Sequence, residues 1–294
     1  MQVFFGFLWV WYNGGMNEVV FLAILFVFGA VFGSFACCQA WRLRLKEQKK
    51  ENPGKRSVCM SCGKKLSVGE NVPILSWIFQ GGKCKKCGAK IGKAEILSEV
   101  GLAIVFVLIG TYFYQPIFGG STEVGAGAAS WLSGFPLVAV LKMVFALLAI
   151  VAMWVVVVYD AKWGRMPNLG LMFANIFAVA YFATIAIFEG VDWLGFVGAV
   201  GMLPALYYIL YAFSKEKLVG GGDWLLALAI ALLLPNWFLA LIALFVANFS
   251  ASVCSIPIML KEGKKAQVPF GPFLFVGFLT AFVLQDVILK LLII

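Results

Sequence analysis

Residues 137–160 read LVAVLKMVFALLAIVAMWVVVVYD. One lysine, Lys142, interrupts the apolar run, and Asp160 closes it. The run is continuous rather than alternating, which fits a helix in lipid and not a strand of a membrane barrel. From 137 to 159 it is close to the roughly 20 residues that cross the hydrocarbon core of a bilayer. Seven more apolar segments accompany it, at 19–41, 95–115, 168–188, 193–213, 223–234, 236–259 and 270–292. The segment 223–234 is short and is followed by Pro235 and Asn236, so it reads as half of a tight hairpin or a partly re-entrant pair. The whole chain agrees with this local reading. Of 294 residues, 63% are apolar and 13% charged, the latter about half the share of a soluble domain. Too little polar surface is left for a soluble enzyme, a disordered chain or a secreted disulfide scaffold. The expected fold is an all-α polytopic membrane protein of about eight transmembrane helices.

The basic residues orient these spans. The chain carries a net +9, but residues 44–94 alone hold thirteen Lys/Arg against three Glu. Charge gathered in one loop beside a span speaks for topology rather than nucleic acid. With the N-terminus outside, the inner segments 42–94, 160–167, 214–222 and 260–268 hold 21 of the 23 Lys/Arg. The outer segments 1–18, 116–136, 189–192 and 235–236 hold none. Lys142 and Lys290 sit near outer span ends, where they can snorkel. The positive-inside rule then puts both termini outside. The first residues lack a basic n-region, so a cleaved signal peptide is not expected. Three regions follow: a first transmembrane segment, 1–43; a cytoplasmic lobe, 44–94; and a seven-helix membrane domain, 95–294.

The lobe contains Cys59-Met-Ser-Cys62 and Cys84-Lys-Lys-Cys87, with 21 residues between the pairs. A double CxxC on the cytoplasmic side, where disulfides rarely persist, predicts a structural zinc ion held by Cys59, Cys62, Cys84 and Cys87. Gly63 and Gly88 follow the two pairs and allow the backbone to turn tightly around a bound thiolate. Four sulfur ligands leave no open coordination position, so this zinc is not expected to be catalytic. Cys37, Cys38 and Cys254 lie in or near spans and read as small buried hydrophobes.

Histidine is absent, which removes Ser-His-Asp, Cys-His and HExxH chemistry. The only aspartates are Asp160, Asp192, Asp223 and Asp286. Asp160 ends one apolar segment and Asp223 begins another after Gly220-Gly221-Gly222, both at the inner membrane face. Two close carboxylates share a proton. One can then take a proton from a held water while the other protonates a scissile carbonyl, as in aspartic proteases. The alternative is that both simply sit at the headgroups, Asp223 as a helix cap. Asp192 and Asp286 lie toward the outer face and cannot join them.

At these residues the chain resembles the prepilin peptidases, GxGD-type aspartic proteases of the bacterial cytoplasmic membrane. The resemblance runs along nearly the whole chain: Gly33-Ser34-Phe35 with Trp41-Arg42-Leu43, Arg56-Ser57-Val58-Cys59, Asn71-Val72-Pro73-Ile74-Leu75-Ser76-Trp77, the second cysteine pair, and Glu99. Asp160 then precedes Pro167 by seven residues, Gly220-x-Gly222-Asp223 matches the GxGD element, and Val268-Pro269-Phe270-Gly271-Pro272-Phe273 matches a late family segment. The resemblance implies that Asp160 and Asp223 are catalytic and that a pilin or pseudopilin precursor is cut at the cytoplasmic face. It also implies that Gly220, Gly222, Pro269, Phe270 and Gly271 shape the substrate site. Asn71–Trp77 either docks substrate or packs the lobe on the membrane. Many relatives also methylate the new N-terminus with S-adenosylmethionine, although no methyl-donor motif stands out here. Glu95 or Glu99 could contribute to that step, and equally reads as a charge at a span entrance. Leu225, Asn168 and Cys37 depart from the family's usual Lys, Asp and Asn. A presenilin-like intramembrane protease and an inactive zinc-stabilised assembly factor stay open as alternatives. The oligomeric state is unspecified.

Overall fold

The computed structural model describes residues 17–49, 57–59, 61–118, 137–214, 219–262 and 268–292. The described residues are helical apart from the lobe and short connections, and they contain isolated β-bridges but no strand. The long helices are α1 (Glu18–Glu47), α3 (Lys93–Phe118), α4 (Leu137–Trp163), α5 (Asn168–Phe188) and α9 (Trp237–Glu262). A short α2 (Leu75–Phe79) lies in the lobe. Helices α6 (Trp193–Val200) and α7 (Leu206–Ser214) are joined by a π-helical turn, Gly201–Ala205. That turn contains Pro204, which has no N–H for the regular ladder, and the wider turn absorbs it. Helix α8 (Gly221–Leu233), α10 (Gly271–Val283) and α11 (Gln285–Leu292) complete the bundle.

All eight apolar segments are thus helical. Among the described residues, six helices are long and apolar enough to cross a membrane, and α10 with α11, bent by 65°, makes a seventh if the pair is one span. The exception is α8. Its 13 residues extend about 20 Å, short of the roughly 30 Å hydrocarbon core. It is apolar for a different reason: Leu226, Ala227, Ala229, Ile230, Ala231 and Leu233 are all buried in the bundle. The expected outer loop lies, from residue 119 to 136, outside the described residues, as do residues 1–16.

Close packing rests on small residues, because lipid offers no hydrophobic drive for helices to associate. Helix α1 lies on α3 through Gly29 and Gly33. A Cβ at Gly29 would sit 2.6 Å from Ala103 Cα, and one at Gly33 2.5 Å from the Ser98 carbonyl oxygen. Ser98 donates its hydroxyl to the Gly33 carbonyl at 2.9 Å, and Trp154 Nε1 donates to Ser98 Oγ at 2.9 Å. This chain of contacts ties α1, α3 and α4 together. The Gly33-Ser34 motif therefore has a packing role.

Candidate active site and metal lobe

Helix α4 buries Val155 to Asp160, and its last three residues, Ala161 to Trp163, emerge toward the surface. It stops where Gly164, in a left-handed conformation at φ +62°, ends the helix. Asp160 is 4% exposed, and its Oδ2 accepts the backbone N–H of Gly271 at 2.8 Å. Asp223 is 6% exposed and lies in the first turn of α8, where its Oδ2 accepts the N–H of Gly220 at 2.8 Å. Helix N-termini favour negative charge, so this half of the site is locally stabilised. Asp223 Oδ1 is buried and has no hydrogen-bond partner among the described residues. The two carboxylates lie within electrostatic reach of each other.

Met166 joins the two halves. A Cβ at Gly222 would lie 2.6 Å from Met166 Cβ, and one at Gly271 would lie 3.0 Å from Met166 Cε and 2.9 Å from Asp160 Oδ2. Glycine at 222 and 271 therefore lets the Met166 loop, α8 and α10 close around the carboxylates. Phe270 packs its ring on Tyr207, 5.7 Å between centroids, and Pro269 is half-buried beside it. Tyr207 is buried and accepts a hydrogen bond from Asn248 Nδ2 at 3.1 Å. Asp192 caps α6 through Leu194 N, and Asp286 lies on α11. At Leu225, where the family usually has lysine, the backbone carbonyl accepts Asn175 Nδ2 at 3.0 Å.

The lobe side of the bundle supplies contacts that the sequence did not reveal. Tyr159, fully buried, donates its hydroxyl to Glu47, which also pairs with Arg44 at 3.2 Å. Lys162 pairs with Glu95 at 3.2 Å. The end of α4 is thus fastened to the end of α1 and the start of α3. Glu99 Oε2 accepts the N–H of Ile74 at 2.7 Å, and Ile74 adopts φ +61°, rare for a β-branched residue. Asn71–Trp77 is accordingly locked to α3, which gives it a packing role.

In the lobe, Cys59, Cys62, Cys84 and Cys87 place their Sγ atoms within 4.8 Å of one another. Cys59 and Cys87 sulfurs are 3.9 Å apart, close to the roughly 3.8 Å of a tetrahedron with 2.3 Å zinc–sulfur arms. Each pair forms the same knuckle. Cys59 N bonds Lys64 O and Gly63 N bonds Cys59 O; Cys84 N bonds Ala89 O and Gly88 N bonds Cys84 O. Gly63 and Gly88 take φ +67° and +69°, which requires glycine at little cost. The backbone N–H groups of Cys87 and Lys86 pull the Cys84 thiol down to about 6, which favours the thiolate that a metal needs. The four residues can hold a metal ion.

Fold and site together define a class: a multi-pass helical membrane protein with paired buried carboxylates at one end of the bundle and a four-cysteine lobe beside them. Residues 27–113 match the family model "Bacterial Peptidase A24 N-terminal domain". The prepilin leader peptidase/N-methyltransferase of Bacillus subtilis strain 168 is 28% identical over 272 residues, 92% of this chain and 96% of that protein. The Vibrio cholerae protein of the same name is 26% identical over 283 residues, covering 90% and 97%. The one from Dichelobacter nodosus is 27% identical over 231 residues, covering 76% and 70%. No solved structure matches the chain. The chain is similar to these prepilin leader peptidases along nearly its whole length, and the similarity includes the motifs read from the sequence.

Proposed function

We propose that this protein is a prepilin leader peptidase in which Asp160 and Asp223 activate water at the cytoplasmic membrane face. The observation that carries the reading is the pair itself. Two buried carboxylates from separate helices are each held by one backbone N–H, with one oxygen, Asp223 Oδ1, left without a partner. An unpaired carboxylate oxygen in a dry site is costly unless a water or substrate group completes it. The pair holds one proton between two oxygens. The ionised carboxylate takes a proton from the attacking water, and the other protonates the carbonyl oxygen; no acyl-enzyme forms. When the tetrahedral intermediate collapses, the proton received from water goes to the leaving amine. The substrate is a pilin or pseudopilin precursor with a short leader and an apolar helix lying in the bilayer.

The four thiolates hold a structural zinc ion, and as a closed set they provide folding rather than chemistry. A second activity, methylation of the new N-terminal amine with S-adenosylmethionine, belongs to the same reading and rests on the relatives' names. The test is prepilin cleavage in membranes containing wild type, Asp160→Asn or Asp223→Asn at matched abundance, with the product N-terminus read by mass spectrometry. Wild type cuts after the leader and both variants fail. Retained cutting in either variant overturns the aspartate mechanism. A cut inside the apolar helix instead assigns the chain to the intramembrane proteases.

A further inference from the structure

Tyr207, on α7, is 2% exposed. Its ring packs on Phe270, whose neighbour Gly271 holds Asp160 by its N–H. The next residues of α7 cover the turn that holds the other carboxylate. Tyr208 meets Trp224 at 5.5 Å between ring centroids, and a Cβ at Gly221 would lie 3.3 Å from the Tyr211 ring. Helix α7 therefore bridges the two turns that hold Asp160 and Asp223. The Tyr207 hydroxyl lies within electrostatic reach of Asp223. Among the described residues, no hydrogen bond joins it to either carboxylate.

Asn248 decides which way that hydroxyl faces. Its amide lies against two oxygens, the Leu244 carbonyl at 2.8 Å and Tyr207 Oη at 3.1 Å. A carbonyl oxygen only accepts, so the Asn248 nitrogen must face Leu244. The second N–H of the same nitrogen then goes to Tyr207. Tyr207 Oη is thus an acceptor toward Asn248, and its own proton points elsewhere. Among the described residues no acceptor takes that proton. Asp223 Oδ1 is the converse, a buried acceptor with no donor. A spare donor and a spare acceptor beside one carboxylate pair are costly in a dry site unless a further molecule completes them. The amide itself sits on a membrane helix, where polar groups are rare without a task. Both N–H bonds of Asn248 are committed, one of them to fixing the phenol.

We propose that Tyr207 is a third catalytic residue, donating its phenol hydrogen bond to the scissile carbonyl oxygen as that oxygen becomes negative. The inference rests on the aspartate-peptidase reading and adds to it a donor that never gives up its proton. The water oxygen bonds to the carbonyl carbon, the carbonyl π pair moves onto oxygen, and one carboxyl supplies that oxygen with a proton. A carbonyl oxygen accepts two hydrogen bonds, so the carboxyl and Tyr207 serve it together. When the tetrahedral intermediate collapses, the carbonyl re-forms and the amine leaves with the proton taken from water. Tyr207 keeps its own proton throughout. A phenol suits this task, because with an ordinary pKa of about 10 it stays protonated beside a carboxylate at physiological pH. Fixed donors aimed at developing charge in a site closed to water are each worth about 10²–10³ in rate.

The test compares wild type, Tyr207→Phe and Asn248→Leu, full length and in nanodiscs at equal abundance. Tyr207→Phe keeps the ring on Phe270 and loses only the hydroxyl. It should lower kcat for prepilin cleavage about 100-fold, with KM little changed. Asn248→Leu keeps the phenol but frees its proton to turn, and should lower kcat about tenfold. Two non-cleavable prepilin analogues supply a readout that packing alone does not move. One carries a tetrahedral carbon bearing a hydroxyl at the scissile position, and the other the same carbon without the hydroxyl. Wild type binds the hydroxyl analogue more tightly. Tyr207→Phe reduces that preference about tenfold and binds the other analogue as wild type does. Equal weakening of both analogues makes Tyr207 a packing residue and overturns the proposal. A fall in kcat of less than about threefold in Tyr207→Phe also overturns it. Asp160→Asn and Asp223→Asn are assayed beside these variants. If both are inactive while Tyr207→Phe cuts at the wild-type rate, this inference fails and the aspartate reading stands. If either still cuts, the aspartate reading fails and takes this inference with it.

Discussion

Replacing Gly271 by alanine tests the geometry of the carboxylate pair with a single methyl group. Gly271 does two things at once: its N–H donates to Asp160 Oδ2 at 2.8 Å, and its bare Cα leaves that oxygen room. A Cβ would lie 2.9 Å from the same oxygen and 3.0 Å from Met166 Cε, while ordinary contact begins near 3.4 Å. The Met166 methyl is the end of a flexible side chain and can yield. The carboxylate cannot yield without stretching its hydrogen bond, so it must shift by about 0.5 Å. A misplacement of about 1 Å costs roughly a hundredfold in rate, and a hydrogen bond to a charged group is worth about 1.5–3 kcal/mol. We therefore expect Gly271→Ala to lower kcat for prepilin cleavage about 10–100-fold, with KM little changed. Backbone strain is not the cause, because Gly271 starts α10 with helical geometry, where alanine is favoured over glycine by about 0.5–1 kcal/mol. Gly201→Ala is the control: a Cβ there meets nothing within 4 Å, and cleavage should stay at the wild-type rate. The assay is single-turnover cleavage in nanodiscs at equal enzyme abundance. Wild-type kcat in Gly271→Ala would refute the claim that this N–H positions Asp160 in the working enzyme.

Gly33→Ala places a methyl 2.5 Å from the Ser98 carbonyl and 2.7 Å from Glu99 Cα, both rigid backbone. Helices α1 and α3 must separate, at a cost of roughly 1–3 kcal/mol, seen as a lower thermal midpoint in detergent. Cys84→Ser should reduce bound zinc from one per chain to near zero by elemental analysis, and should make the lobe susceptible to protease. Glu70, buried against Lys64 and the Ser67 N–H, is held down at about 2 against an ordinary 4.5. Its folded pKa is depressed, so its contribution is present above about 4.5 and is lost as pH falls toward 2. The stability difference between wild type and Glu70→Gln should be full at pH 6–7 and shrink steadily below about 4.5; a constant difference would remove the ion pair as its cause.

Much of this architecture is legible in the chain because lipid imposes simple rules. Continuous apolar runs mark helices, and basic residues gather on one side. Residues 160 and 223 fall at the ends of apolar helices, although α8, which carries Asp223, is too short to span. The double CxxC and its following glycines are equally local, and Gly63 and Gly88 adopt the positive φ that such turns require. Which helices touch is another matter. A membrane helix apolar on all sides carries no stripe that names its partner, so the Gly29 and Gly33 seat on α3 does not stand out among 31 glycines. Helix α8 shows the same ambiguity, since a run buried in protein looks like a run buried in lipid. The anchoring role of Glu99 was hidden because its partner is a backbone N–H, at Ile74, which no side-chain pattern discloses. The bend of 65° before α11 follows the same logic, having no proline at the break to announce it.

The two carboxylates are held by different parts of the molecule. Asp223 is fixed locally, by the N–H three residues before it and by Met166 against Gly222. Asp160 is fixed from a distance. Its helix end is fastened by Tyr159 to Glu47 and by Lys162 to Glu95, and those acids close and open the two helices that flank the lobe. Disturbing the lobe should therefore displace Asp160 while leaving Asp223 in place. Metal removal is then expected to slow cleavage even though four thiolates have no position open for chemistry. Tyr159→Phe, which leaves the metal site whole but removes one fastening, should reproduce part of that loss in kcat. Cleavage that survives metal removal unchanged would mean that α1 and α3 hold the end of α4 without help from the lobe.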